Sequence, residues 1–237
     1  MKKLLLVVFL SCAGYGIAGA AQPLVCTQKG ATFERANYDS KGKLAGYTQM
    51  VVEQCDSTAD GVCVKNRTFS LDSQRKPVEQ KVGERTLPAE QTEQIIVRPS
   101  EMVIPLGSAD LPSVEGVEAS FSGDEYTIPY ALEPGQALPD IHFSFTMSSD
   151  GHSMSIKMTI DQRKVLARET VVTPAGTFEA FKVSERMTFK LFIIKESMKT
   201  ITWYVPGIGA VREEAQRGNG KVESRSELIA FRLPKGV

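Results

Sequence analysis

The chain has 237 residues, with 28 Lys and Arg matched by 28 Asp and Glu, so its formal net charge is zero. With no like-charged block anywhere along it, the chain lacks the electrostatic footprint of a non-specific nucleic-acid binder. Its length after removal of an export signal suits one β domain, or two intimately packed sheets, with a real buried core.

Met1 to Ala20 reads as a secretory signal peptide. Lys2 and Lys3 supply the charged start, Leu4 to Leu10 an unbroken apolar core, and Ala18-Gly19-Ala20 a small-x-small cleavage site before Ala21. The apolar core falls short of the roughly 20 residues a membrane span needs. A competing reading makes Phe9-Leu10-Ser11-Cys12 a lipoprotein box with Cys12 acylated; Phe9 in the place of Leu, and the short apolar run before it, favour ordinary cleavage. The expected product is an exported protein without a transmembrane span, in the periplasm, associated with the outer membrane, or extracellular.

Residues 21–237 read as a single exported β domain. Cys26, Cys55 and Cys63 remain after cleavage, in a compartment where disulfides form. Cys55 and Cys63 flank the turn Asp56 to Gly61, which makes a hairpin bridge between them the favoured pairing. Cys26 with either partner, or three unpaired thiols, are the alternatives.

An N-terminal meander spans 24–95. Extended runs at Ala31 to Tyr38, Leu44 to Glu53 and Val62 to Leu71 alternate with turns rich in Asp, Ser, Gly and Lys. Glu84 to Gln94 is the one segment with a helical reading, which Pro88 weakens. A Pro-rich crossing spans 96–140, where Pro99, Pro105, Pro112, Pro129, Pro134 and Pro139 argue for short edge strands.

The C-terminal meander, 141–233, has the clearest patterning. Phe143, Phe145 and Met147 alternate with Ser144, Thr146 and Ser148; after a turn at Asp150-Gly151, Met154, Ile156, Met158 and Ile160 alternate with polar residues. Phe178 to Ile194 is one extended run of on the order of 50 Å, long enough to demand a bulge or strong curvature. Its end, with Phe192 and Ile194, is apolar on both sides, as if covered by another layer or lining a groove. Ile201, Trp203 and Val205 form the next strand, Pro206 to Gly209 a turn, and Val222 to Leu233 the last strand. The fold class is all-β: an antiparallel meander forming a curved two-sheet sandwich or half-barrel.

Reactive groups are sparse. The only histidines, His142 and His152, are not spaced as metal ligands, and metalloprotease, nucleophile-elbow and phosphate-loop motifs are absent. Ser73 and Lys76 match Ser-x-x-Lys but sit in a polar turn. Asp56 to Gly61 has the opening of a calcium loop, yet Arg67 stands where the bidentate Glu belongs. Asn66-Arg67-Thr68 is a formal glycosylation sequon. No catalytic residue, metal or cofactor is indicated.

Thr173-Pro174-Ala175-Gly176-Thr177-Phe178 and Trp203 to Arg212 resemble the TapB-like group of exported Bacteroidota proteins of unknown function. Asp39 to Leu44 and Ser226 to Leu228 extend the resemblance. It implies an all-β envelope domain and carries over no catalytic residue.

The leading expectation is a non-catalytic envelope protein that binds an apolar ligand, a lipid or another envelope protein on a concave β face. The groove it points to is Phe189, Phe192, Ile194 and Trp203. A structural or protein-interaction module with a filled core is the alternative, and an unrecognised hydrolase the third.

Overall fold

The computed structural model describes residues 21–78, 80–82, 85–87, 90–105, 118–149, 152–191 and 194–234. The signal segment Met1 to Ala20, with Cys12, lies outside the described residues, as does the Asp150-Gly151 turn. Among the described residues the chain forms strands and no helix. No helix there is long and apolar enough to cross a membrane.

The N-terminal half forms β1 (Thr32–Asp39), β2 (Leu44–Thr58), β3 (Gly61–Asp72), β4 (Gln80–Val82), β5 (Arg85–Leu87), β6 (Glu90–Val97) and β7 (Glu101–Ile104). Two short strands, β8 (Glu118–Gly123) and β9 (Tyr126–Pro129), come from the Pro-rich crossing. The C-terminal half supplies β10 (Ile141–Ser149), β11 (His152–Thr173), β12 (Gly176–Leu191), β13 (Ile194–Val205), β14 (Gly209–Gln216) and β15 (Val222–Arg232).

Thirteen strands make one open antiparallel sheet in the order β8-β10-β11-β12-β13-β14-β15-β1-β2-β3-β6-β7-β9, with β4 and β5 as a separate hairpin. The expected curved, all-β antiparallel architecture is present, as one sheet not closed into a barrel. The two meanders join where β1 pairs with both β2 and β15. The short crossing strands β8 and β9 end up at opposite edges, as proline-limited pairing requires.

Curvature brings edge to middle. Tyr126, on edge strand β9, donates from its hydroxyl to Glu185 on β12 at 2.9 Å. One face is therefore wrapped into an interior where β9, β7 and β6 look across at β12 and β13. Leu24, Val52, Val64, Ile128, Val165, Val183 and Leu228 belong to the main core there, and Ile141, Phe143 and Ile160 to a smaller one.

Two expectations are corrected. The segment read as a candidate helix, Glu84 to Gln94, contains β5 and the start of β6; β3 offers it a paired edge over Val62 to Phe69, and Ile95 and Val97 continue with period two. The Cys55–Cys63 bridge is not formed, and the three cysteines are free. Thr58 pairs with Gly61 and Cys55 with Val64, while Cys63 pairs with Asp56. The two thiols are thus out of phase by one residue and leave opposite faces of the hairpin.

The long run before residue 194 does need irregularity, but its neighbour supplies it. Strand β11 shifts register against β12 between Asp161 and Lys164 and again between Val165 and Ala167. Gln162 there takes a left-handed conformation, φ 51°, which is uncommon for a residue with a side chain and typical of a bulge that re-aims its neighbours.

Candidate functional site

A cavity of about 280 Å³ opens on the concave side between the two meanders. Its apolar wall comes from Phe33, Met50, Ile95, Met102, Ile104 and Leu228. The strand registers put these on one face: Phe33 opposite Met50, Met50 opposite Thr68, and Arg35 opposite both Thr48 and Leu228. The turn at Ile208 to Ala210 and the N-terminal residues Val25 and Cys26 close one side. That N-terminal segment is held by Gly207 N–H, which donates to Pro23 O at 2.7 Å.

Into this apolar lining the same face places Arg35, Asn66, Glu93, Tyr204 and Glu213. Asn66 and Glu93 are direct cross-strand partners on β3 and β6. Glu93 is an exposed residue at the rim; desolvation by the surrounding strands raises its carboxyl pKa, and the neighbouring Asn66 amide acts in the opposite direction. Asn66 is 3% exposed, and its Oδ1 has no hydrogen-bond partner. Arg35 donates from Nε to Ser226 Oγ at 2.9 Å and from Nη1 to Ala210 O. Burial lowers its pKa, and the Glu213 carboxylate acts in the opposite direction.

Behind Tyr204 lies a second polar cluster. Tyr204 neighbours Tyr126, and burial pushes both phenols up, with the Glu185 charge adding to the effect. Arg163 is buried to 2% exposure. Its guanidinium donates to Glu185 Oε1 at 2.7 Å, Pro139 O at 2.8 Å and Thr127 O at 2.8 Å, and stacks over the Tyr126 ring at 4.9 Å. The Gln162 bulge turns this side chain inward. Arg163 then ties β11 and β12 to both the edge strand β9 and the crossing segment, whose Leu138 N–H also bonds the Arg163 carbonyl at 2.9 Å. Of this cluster only Tyr204 lines the cavity; Arg163 and Glu185 bond each other behind it.

Of the groove residues expected at Phe189, Phe192, Ile194 and Trp203, the structure does not bring Phe189 and Trp203 together. In the unbroken β12–β13 register Phe189 pairs with Glu196 and Lys182 with Trp203. Odd and even positions of one strand leave opposite faces, so Phe189 and Trp203 are on different sides of the sheet. Trp203 is 6% exposed. Its indole N–H donates to Glu169 Oε1 at 2.8 Å, with Lys182 and Arg212 over its ring at 4.9 and 5.2 Å. Phe192 and the side chain of Ile194 lie outside the described residues.

Asn66, read as a formal glycosylation acceptor, is instead an interior residue. The turn at Asp72 holds Ser73 and Lys76 in a surface loop, its carboxylate accepting from the N–H groups of Gln74 and Lys76. Among the described residues no group of three or more metal-ligating side chains converges.

What sequence reading missed has a recognisable signal. Arg35 is in phase with Ala31 and Phe33, Asn66 with Val62 and Val64, and Glu93 with Ile95 and Val97. Polar groups in step with an apolar face mark an interior that is not purely a core.

A family model matches residues 28–228, described as DUF3108-like. The chain belongs to the DUF3108-like family. The matched segment contains every cavity-lining residue except Val25 and Cys26. Two solved structures are similar to this DUF3108-like protein. One, from Bacteroides fragilis, is described as a candidate exported protein with a YmcC-like fold; it is 19% identical, covers 89% of this chain and 99% of its own, and has a TM-score of 0.63. The other, from Parabacteroides distasonis, is described as a candidate lipoprotein; it is 16% identical over 90% of this chain and 99% of its own, with a TM-score of 0.66. At these identities they bear on the fold. No curated protein matches the sequence.

Proposed function

We propose that this DUF3108-like protein is an exported, non-catalytic envelope protein that holds a small, largely apolar ligand in the concave cavity. The observation that carries the reading is the cavity itself. Its 280 Å³ would take about nine water-sized atoms at roughly 30 Å³ each, near the lower end of ligand pockets. Its lining also follows the pattern of a binding site, mostly apolar with a few placed polar groups.

Export rests on the layout of Met1 to Ala20, and the descriptions of the two similar structures agree with it. The narrower kinship to the TapB-like group rests on the turn motifs alone. The groove first suggested at Phe189 and Trp203 gives way to the cavity, because the register separates those two side chains.

The test is native mass spectrometry on the mature protein purified from its own cell envelope. A non-covalent adduct that is lost in Thr68→Trp, a change that fills the cavity from β3, is the expected result. A clean unliganded mass, with no binding of apolar fluorescent probes by the wild type, would rule the reading out.

A further inference from the structure

We propose that Cys26 and Cys55 become a disulfide in the exported protein, fastening the N-terminal segment to β2, while Cys63 stays a free thiol. The bridge takes its oxidising surroundings from the export reading above, and it stands whether or not the cavity holds a ligand.

Strand phase sets Cys55 inward and Cys63 outward. Val52 pairs with Asn66, and after a register shift between Val52 and Gln54, Cys55 pairs with Val64. Asn66 and Val64 are two apart on β3 and both buried, so they share the inward face. Direct cross-strand partners also share a face, which turns Cys55 inward together with Val52. Without the extra residue in β2, Cys55 would leave the outer face. Cys63 precedes Val64 on β3 and therefore points the other way.

Cys26 reaches the same region from the N-terminus. Gly30 N–H donates to Val52 O at 2.7 Å, and Val52 N–H donates to Ala31 O at 2.9 Å. Traced back from Ala31, the chain thus runs antiparallel to β2, in the direction of Cys55. A turn closed by Ala31 N–H on Gln28 O, at 3.0 Å, leads into the interior, where Cys26 is 4% exposed. Cys26 belongs to the main core, and Cys55 packs against that core. Electrostatics agree with this placement. Burial raises the Cys55 thiol most, and the Cys26 charge comes next, ahead of adjacent Asp56 and of Cys63.

The chemistry is a two-electron thiol–disulfide exchange. Cys55 is the more accessible of the two thiols; its thiolate attacks a disulfide oxidant of the exported compartment and releases one oxidant thiol. The Cys26 thiolate then attacks the Cys55 sulfur and releases the second. One S–S bond forms in the chain and one is lost from the oxidant, which leaves as a dithiol carrying the two protons. Val25 and Cys26 wall the cavity, so the bridge ties that wall covalently to β2.

The test takes mature protein from its own cell envelope, blocks free thiols with N-ethylmaleimide in denaturant without reduction, and cleaves after Lys and before Asp. Mass spectrometry should find the Cys26 peptide joined to the Cys55 peptide, two hydrogens lighter than their sum, with Cys63 blocked. Cys26 and Cys55 both blocked, or Cys63 bridged to either, would overturn the proposal. The purified, reduced chain treated with glutathione disulfide separates the two premises. Bridging there but not in envelope material would overturn the native disulfide through its compartment; bridging in neither would overturn the placement of the thiols. Cys63→Ser should keep the linked pair. Reduction should lower the wild-type urea midpoint by about 1 M, the scale for closing a loop of this length, and leave Cys26→Ser unmoved. A wild-type midpoint indifferent to reductant would overturn the fastening.

Discussion

Replacing Arg163 with Met should destabilise the protein far more than loss of a surface charge would. The guanidinium is fully buried, and its three bonds, at 2.7, 2.8 and 2.8 Å, end on Glu185, Pro139 O and Thr127 O. Met fills a similar volume but donates nothing, so a largely buried carboxylate and two carbonyls lose their partner. Removing one member of a buried pair costs about 3–5 kcal/mol, against roughly 0–1 kcal/mol for an exposed one. With a urea m-value of roughly 2–3 kcal/mol/M for a chain of this size, the midpoint should fall by about 1.5 M. Trp203 is the only tryptophan and is buried, so its fluorescence follows the transition. Glu185→Leu added to Arg163→Met should recover part of the loss, because the stranded charge is gone. A shift below about 1 kcal/mol for the single variant, or no recovery in the double, would refute the clamp.

Glu169 offers a pH test. Its carboxyl is held below the ordinary value of 4.5, chiefly by the Trp203 indole N–H and also by Lys182. A depressed carboxylate pKa gives stability that is present above the unfolded value and lost as pH falls through the folded one. Thermal melts between neutral and strongly acidic pH should therefore show an acid-side loss in wild type that is reduced in Glu169→Gln; parallel curves would contradict the bond. Cleavage before Asp56 and Asp60 under non-reducing conditions should separate the peptides carrying Cys55 and Cys63, and their co-migration as a disulfide would overturn the hairpin register. In native protein Cys26, buried and with its thiol pushed up by burial, should react with a thiol reagent much more slowly than the half-buried Cys63. Gly46→Ala should cost about 1–3 kcal/mol, because a Cβ there would run into the Leu71 carbonyl on β3; a neutral urea midpoint would show that the two strands can separate.

The C-terminal hairpins were legible because their alternation is clean. Phe143, Phe145 and Met147 pair with Met158, Ile156 and Met154, as the period-two pattern requires. The bulge was half legible. Apolar positions are even up to Ile160, whereas Val165, Leu166, Ala167, Val171 and Val172 fall on both phases, so the clean alternation ends at the register slip between Asp161 and Lys164. That the slip would turn Arg163 inward was not legible, since a lone arginine in a strand ordinarily faces water. The Cys55–Cys63 pairing failed on a single residue of register, which turn residues alone do not specify when two-residue and longer loops both fit.

The cavity shows where sequence stops. Each strand carries its own record of which residues share a face, because side chains alternate with a fixed period, and that record places Arg35, Asn66 and Glu93 among apolar neighbours. Local alternation also determines an antiparallel all-β protein with short edges at the prolines. Which faces look at each other is a different matter. It depends on twist summed over thirteen strands, on the bulges in β11, and on Arg163 drawing edge strand β9 against β12. Only that closure sets Tyr126 beside Glu185 and gathers Arg35, Asn66 and Tyr204 around one cavity.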